Sequence, residues 1–288
     1  MAVDVRSAQD QQRAIWDDVS VGWQRWQEQF ERGARTVTAK LLRDAAVAPG
    51  QSVLDVGSGV GEPALSAARV VGPAGRVVGI DLSPAMVAAA RSASSGLANV
   101  EFRVADVESL DLPEASFDGA LSRWALMFAA DRVRALRVVA RLLVPGGVLA
   151  AAVWSRPQDV PTIGLAFRVI AERLELGPPP PGPGPFTMCE PDALRAELDE
   201  AGFGEVEIDE VVVPFRFASV SEFARFARDV LPPGMKRQLR ERYGSVDDPG
   251  VWSDVERAAR SYRTAGGAVS LPSVSLCVRA VAGGARAV

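Results

Sequence analysis

Residues 53–61 read Val-Leu-Asp-Val-Gly-Ser-Gly-Val-Gly, an apolar run that ends in an acid and then breaks into three alternating glycines. An apolar helical run, Ala64 to Val71, follows at once. A short buried strand delivered through a glycine turn into a helix is the opening of an αβ unit, and few other folds accept it. Glycines at such a turn let a ligand lie against the backbone, where a side chain would collide. The helix start adds free N–H groups and partial positive charge. A second acid, Asp81, ends the next apolar run, Val77 to Ile80. From that position a carboxylate in a nucleotide-binding αβ unit grips ribose hydroxyls. The sequence therefore predicts a nucleoside-bearing ligand.

From Gln51 onward, β-rich and helical runs alternate, the pattern of a parallel sheet covered on both faces. Strands are expected near 52–56, 76–81, 99–104, 117–122 and 147–154, with helices near 61–71, 84–95 and 131–143. Ser83-Pro84 reads as an N-cap followed by proline at the first helical position. In the third helix Val133, Leu136, Ala140 and Leu143 form an apolar stripe, and Arg134, Arg137 and Arg141 read as a solvated face. After Trp154 the alternation lapses. A helical run over 159–176 leads into residues 177–186, a stiff stretch with six prolines. Further helices are expected near 190–201, 234–243 and 249–264, and strands near 205–215 and 270–281. Ser219 and Glu222 have the spacing of a capping box that opens another helix.

The dinucleotide fingerprint is G-x-G-x-x-G after an apolar strand end. Here the spacing is G-x-G-x-G and the strand ends in Asp55, which repels phosphate and attracts an ammonium. S-adenosylmethionine carries an ammonium and a sulfonium and no phosphate. At these residues the chain resembles the class I S-adenosylmethionine-dependent methyltransferases, in the branch of the ubiquinone and menaquinone biosynthesis enzymes. The resemblance continues through Gly-Ile-Asp-Leu-Ser-Pro (79–84), Ala-Asp-Val-Glu-Ser-Leu-Asp-Leu-Pro (105–113), Phe-Asp-Gly-Ala-Leu-Ser-Arg-Trp (117–124) and Leu-Val-Pro-Gly-Gly (143–147). It implies a Rossmann-like, doubly wound, seven-stranded α/β sheet with two late strands at an antiparallel edge. The expected divisions are an N-terminal helical lid (1–50), a cofactor-binding core (51–157), an inserted helical cap with a late strand (158–265) and a final strand and tail (266–288).

The resemblance also implies roles for individual residues. Gly57, Ser58 and Gly59 would line the cofactor, with Asp55 at its methionine end, and Ser122, after the fourth strand where the family places the reacting group, would also contact the cofactor. Asp81 would hold the ribose hydroxyls, and Asp106 with the Val107 N–H the adenine edge. Leu82 and Met86 either sandwich the adenine or belong to the core. After the fourth strand, nucleobase and amide methyltransferases carry an Asn/Asp-Pro-Pro-aromatic tetrad, whereas this chain has Ser-Arg-Trp-Ala (122–125). That departure points to small-molecule acceptors, quinols, phenols or enols, methylated at carbon or oxygen. Arg123 either orients an anionic acceptor or makes a structural ion pair. Glu62 follows the glycine turn, where an acid suits a helix start whether or not it meets the ligand. Tyr243 and Tyr262, the only tyrosines, are candidate acids or bases.

Trp16, Val19, Trp23, Trp26 and Phe30 fall on one helical face. That face either packs on the main domain or closes over cofactor and acceptor, with Trp16, Trp23, Trp26 and Trp124 facing the acceptor. In the resembled family an aromatic residue of this segment approaches the cofactor, and Trp23 stands nearest its tyrosine.

Composition removes other classes. The chain of 288 residues contains no histidine, which excludes Ser-His-Asp and Cys-His hydrolases and takes away the usual general base. Two cysteines, Cys189 and Cys277, are too few for a disulfide framework or a structural zinc site, so no metal is expected, and arsenic or thiol chemistry is disfavoured. A net charge of −4 gives no general attraction to nucleic acid or anionic membranes. With no charged-then-apolar leader and no run of 18 apolar residues, the sequence reads as cytoplasmic. The partner expected is a small-molecule substrate. Oligomeric state leaves no mark on the sequence. The competing readings are a cofactor-binding regulator or scaffold without turnover and, less favoured by the glycine spacing, a nicotinamide oxidoreductase.

Overall fold

The computed structural model describes residues 5–178 and 182–283. Residues 1–4 of the expected lid, the prolines at 179–181 and residues 284–288 of the expected tail lie outside the described residues.

Seven strands form one sheet: β1 (Ser52–Val56), β2 (Arg76–Asp81), β3 (Val100–Val104), β4 (Phe117–Arg123), β5 (Leu143–Trp154), β6 (Phe203–Phe217) and β7 (Val269–Ala282). Their order is β3-β2-β1-β4-β5-β7-β6. The first five run parallel, and β7 runs antiparallel to both β5 and β6. The strand order reverses between β1 and β4, and open α/β sheets bind ligands in the crevice beyond the carboxyl ends at such a switch point. β1 is buried from Val53 to Val56 because helices cover both faces, so that stretch is apolar except where Asp55 interrupts it. β5 starts four residues earlier than the sequence suggests. The Pro145-Gly146-Gly147 turn sits inside its pairing with β4 as an irregularity between Phe117 and Gly119. The outer strand β6 carries exposed Glu205, Glu207, Asp209 and Glu210, charges that discourage pairing with another chain.

Nine helices surround the sheet among the described residues: α1 (Val5–Asp44), α2 (Ala64–Val71), α3 (Pro84–Ala93), α4 (Arg132–Leu142), α5 (Pro161–Arg173), α6 (Pro191–Glu200), α7 (Val220–Asp229), α8 (Pro233–Tyr243) and α9 (Pro249–Ala259). Ser83 caps α3 by accepting from the Met86 N–H at 3.1 Å, with Pro84 as first helical residue. Ser219 likewise accepts from the Glu222 N–H, and the Glu222 carboxylate reaches back to the Ala218 N–H. α2 begins at Ala64, three residues later than expected, because Gly61 has φ +122° and belongs to the turn.

Three expectations about surfaces change. Arg134, Arg137 and Arg141 are not simply solvated: they donate to the Glu108 carbonyl, the Glu200 carboxylate and the carbonyls of Leu110 and Leu112. Helix α6, assigned to the cap, lies against α4 instead, joined by the Arg132–Glu197 and Arg137–Glu200 ion pairs. Helix α1 has two different halves. Ala34, Val37 and Leu41 are fully buried in the main core, whereas the earlier half crosses to α3 and α7. There Asp17 accepts from the Ser83 hydroxyl, and Trp26 Nε1 and Arg25 donate to Asp229 at 2.8 and 2.9 Å. Gly22 makes that crossing feasible, since a Cβ there would meet the Asp229 carbonyl oxygen at 2.4 Å. No helix among the described residues is long and apolar enough to cross a membrane.

If the second half of α1 is core, truncating its deepest side chain is costly. Leu41→Ala is expected to lower unfolding free energy by about 2–5 kcal/mol, read from the urea midpoint at unchanged slope.

Candidate functional site

A cavity of about 280 Å³ lies beyond the carboxyl ends of β1, β2, β4 and β5. Its walls come from the glycine turn, the segments after β2 and β3, the end of β4, and faces of α1, α5 and α7.

Gly57, Ser58 and Gly59 line the cavity, but the three glycines serve different ends. At Gly57, φ is +71° and a Cβ would stand 2.1 Å from the Ala125 Cβ. At Gly61 a Cβ would meet Leu65 at 2.8 Å. Those two are glycines because protein packs against them. Only Gly59, with φ +51°, has no heavy atom within 4 Å of a Cβ, so its bare backbone faces free space. Among the three, the ligand argument from sequence holds at Gly59 alone.

Asp81 lines the cavity beside this turn, and its two oxygens accept from the N–H groups of Gly59 and Ser83, each at 2.9 Å. Burial raises its pKa, and the two amides oppose that shift. Fixed this way, each oxygen still has capacity to accept from a ligand hydroxyl. Leu82, Met86, Asp106 and Val107 also line this end. Asp106 uses one oxygen to cap the short turn after β3, accepting from the Glu108 N–H at 2.9 Å.

Asp55 and Ser122 do not line the cavity; both are completely buried just behind it. Asp55 Oδ2 accepts from the Ala64 N–H at 2.9 Å, whereas Oδ1 has no partner, and neither has the hydroxyl of Ser122 or of Ser58. Burial pushes the Asp55 carboxyl up to about 8, against the Ala64 N–H and the positive charge of Arg123. Orphaned buried oxygens are uncommon, and here three of them cluster around one turn. An ammonium-bearing nucleoside without phosphate fits this donor and acceptor set; a dinucleotide, whose pyrophosphate would face the Glu62 carboxylate on the wall, does not.

The candidate catalytic residues fare differently. The Arg123 guanidinium is buried in an ion pair: Nη1 donates to Glu31 at 2.8 Å and to the Thr38 hydroxyl at 2.6 Å, and Nη2 donates to the other Glu31 oxygen. Burial opposes its charge, yet Glu31 more than offsets this and holds the guanidinium above its ordinary value. Of the two roles the sequence left open, the structure shows the ion pair. Tyr243 lies away from the cavity, because its hydroxyl donates to the Arg173 carbonyl at 2.9 Å and its ring stacks under that guanidinium. Tyr262 does not line the cavity either. Glu62 does, with its carboxylate accepting from the Ser66 N–H at 3.2 Å and facing Arg69.

Of the four tryptophans expected at the acceptor, Trp16, Trp23 and Trp124 line the cavity. Trp26 does not, since its indole N–H is tied to Asp229 on α7. Trp124 is stacked on Trp154 at 4.2 Å between ring centroids. Sequence reasoning missed Trp154, Glu31 and Glu108. Trp154 ends a strand like any core residue. Glu31 is one of many acids on α1, so only the fold pairs it with Arg123, 92 residues away. Glu108 is buried with one oxygen on the Ala130 N–H and the other unpartnered, and burial raises its pKa.

Two predictions follow from this geometry. Gly57→Ala meets both a clash and a left-handed backbone and is expected to cost about 2–5 kcal/mol, whereas Gly59→Ala, with open space, costs about 1 kcal/mol; urea unfolding of both variants measures this. The second concerns Asp55, whose folded carboxyl holds its proton up to about pH 8, far above the ordinary 3.8 of an unfolded chain. Its stabilising contribution is complete below the unfolded value and is lost as pH rises through the folded one. The ligand-free protein is therefore expected to lose stability between pH 5 and 8.5, and Asp55→Asn to lose less over the same range.

A family model described as a methyltransferase domain matches residues 54–151. The arsenite methyltransferase of Halobacterium salinarum is 34% identical over 175 residues, which is 57% of this chain and 40% of that protein. The ubiquinone/menaquinone biosynthesis C-methyltransferase UbiE of Hahella chejuensis is 31% identical over 159 residues, 54% of this chain and 64% of that protein. The chain thus spans less than two thirds of the length of these two curated relatives. Among solved structures, the YcgJ protein of Bacillus subtilis shares the fold, with a TM-score of 0.58 at 18% identity over 87% of this chain and 99% of that one. The matched residues hold the glycine turn, Asp81, Asp106 and Arg123, so residues 54–151 match a methyltransferase domain, and with the sheet order they support a class I S-adenosylmethionine-dependent methyltransferase.

Proposed function

We propose that this protein transfers the methyl group of S-adenosylmethionine to a carbon or oxygen of a small molecule of the phenol, quinol or enol class. The observation that carries the reading is the nucleoside end of the cavity. There Asp81 is fixed by two backbone amides, beside Gly59, the one glycine of that turn whose missing side chain leaves free space. When bound, S-adenosylmethionine supplies an electrophilic methyl group on a positively charged sulfur.

The chain's own residues do the rest. Asp81 accepts from the ribose hydroxyls, and charge-assisted hydrogen bonds of this kind are the strong ones. Asp106 and the Val107 N–H read the adenine edge, and Leu82 and Met86 flank the base. The Glu62 carboxylate on the wall favours the ammonium, whose arrival pulls the pKa of the buried Asp55 back down so that it ionises behind the ligand. The tryptophan-rich wall of α1 keeps water out, and the cavity fixes the direction of approach. Alignment alone gives effective molarities of roughly 10⁵ M or more. Among the described residues no tyrosine, cysteine or lysine lines the cavity, and the chain has no histidine. An acceptor that binds neutral and reacts through an electron-rich carbon, or through a hydroxyl acidic enough to give its proton to water as it reacts, suits such a site better than an aliphatic alcohol.

The test is the thermal midpoint of the purified chain with S-adenosylhomocysteine and, in parallel, with NAD. At a hundredfold excess over its dissociation constant a ligand adds about 2.7 kcal/mol, which for a chain of this size raises the midpoint by roughly 5–10 °C. A shift with S-adenosylhomocysteine that disappears in Asp81→Ala is the expected result, and a shift with NAD alone would overturn the reading. Incorporation of labelled methyl into neutral phenols and quinols then separates an enzyme from a protein that only binds the cofactor.

A further inference from the structure

The cavity changes character along its length. Its nucleoside end is acidic, with Asp81, Asp106 and Glu62 on the wall. Its other end is lined by rings: Trp23 and Phe30 from α1, Trp124 and Trp154 at the ends of β4 and β5, and Phe167 from α5. Trp124 and Trp154 lie nearly parallel, 4.2 Å apart with 11° between their planes. Trp23 and Phe30 meet edge to face at 4.9 Å.

The flat pair is held firmly. Trp124 has φ +56°, a left-handed conformation that costs a bulky residue free energy and survives only where the surroundings enforce it. Its backbone N–H donates to the Ala152 carbonyl at 2.7 Å, and its indole N–H donates to the Ser275 hydroxyl at 3.0 Å. Ser275 in turn donates to the Val153 carbonyl, so the side-chain tether is anchored in β5.

Charge at this end is the second observation. Among the described residues Arg123 is the one cation on the cavity wall. Glu31 takes it from both terminal nitrogens, and Thr38 and the Glu62 carbonyl take further donors. A guanidinium neutralised in this way offers an incoming anion little net attraction. Recruiting it would strand Glu31, a partly buried carboxylate, without its partner, which costs free energy. The remaining polar side chains near the rings are uncharged, such as Thr162, whose hydroxyl is already engaged with Ser273.

From the fixed ring wall and the neutralised arginine we infer that the acceptor is an uncharged, planar, conjugated molecule, and that an anionic substituent on it is rejected. Stacking and apolar burial supply its affinity, and the Arg123–Glu31 pair acts as the specificity determinant. The identification of this ligand as a methyl acceptor rests on the proposed methyl transfer; its binding does not.

The experiment is calorimetric titration of the full chain at pH 7, with and without S-adenosylhomocysteine. The probes are 2-naphthol, 6-hydroxy-2-naphthoate and 6-(aminomethyl)-2-naphthol, one ring system carrying no charge, a carboxylate or an ammonium. The expected result is that 2-naphthol binds at least tenfold more tightly than either charged analogue. In Glu31→Gln, which leaves Arg123 without its counter-charge, the carboxylate should gain at least tenfold while 2-naphthol stays within threefold. A smaller preference in the wild-type protein, tighter binding of either charged probe, or no binding of 2-naphthol would overturn the inference. The wild-type comparison decides the matter even where the variant does not fold. Heat from S-adenosylhomocysteine alone reports separately on the cofactor reading, so failure of one is not mistaken for failure of the other.

Discussion

One partly buried ion pair joins the parts of this molecule that matter for its chemistry. Arg123 stands at the carboxyl end of β4, next to the switch point of the sheet, and Glu31 and Thr38 come to it from the middle of α1. Its remaining terminal contact is the Glu62 carbonyl, at the end of the glycine turn. Sheet, turn and N-terminal helix therefore meet on one planar group whose forked geometry fixes direction as well as distance. Such a pair adds little stability over a well-packed apolar contact, but losing one partner is severe, so it enforces a single arrangement. Trp16 and Trp23 of α1 line the cavity on the helix that this contact pins.

Much of this was legible in the sequence because the signals were local. Strand β2 was placed to the residue, as was the start of α3 at Ser83-Pro84, since caps and apolar runs depend on neighbours in the chain. Asp81 and Gly59 were legible for the same reason: turn, strand end and acid lie within about thirty residues. The sheet order and the antiparallel outer strands came from resemblance, not periodicity. No local pattern tells β6 that it will pair with β7 across more than fifty residues of intervening helix.

What escaped the sequence depends on long-range contact. Trp26 shares a helical face with Trp23, yet α7 arrives beside it and takes its N–H for Asp229. Tyr243 looked free to act as an acid or base until α5 placed the Arg173 carbonyl over its hydroxyl. Gly57 and Gly59 are indistinguishable as letters. Ala125, 68 positions along the chain, is what makes one a packing necessity and leaves the other open. In each case the residue type was informative and its partner was not.

The cavity also straddles the edge of the matched methyltransferase domain. The nucleoside end is built from residues within 54–151, the part that matches the methyltransferase domain, while much of the ring-lined end comes from α1, α5 and α7, outside it. Two sets of segments can therefore change at different rates: the shared one constrained by a common cofactor, the flanking ones free to follow whatever molecule each lineage had to recognise. A new acceptor specificity can arise by exchanging walls, with the machinery that holds the methyl donor untouched.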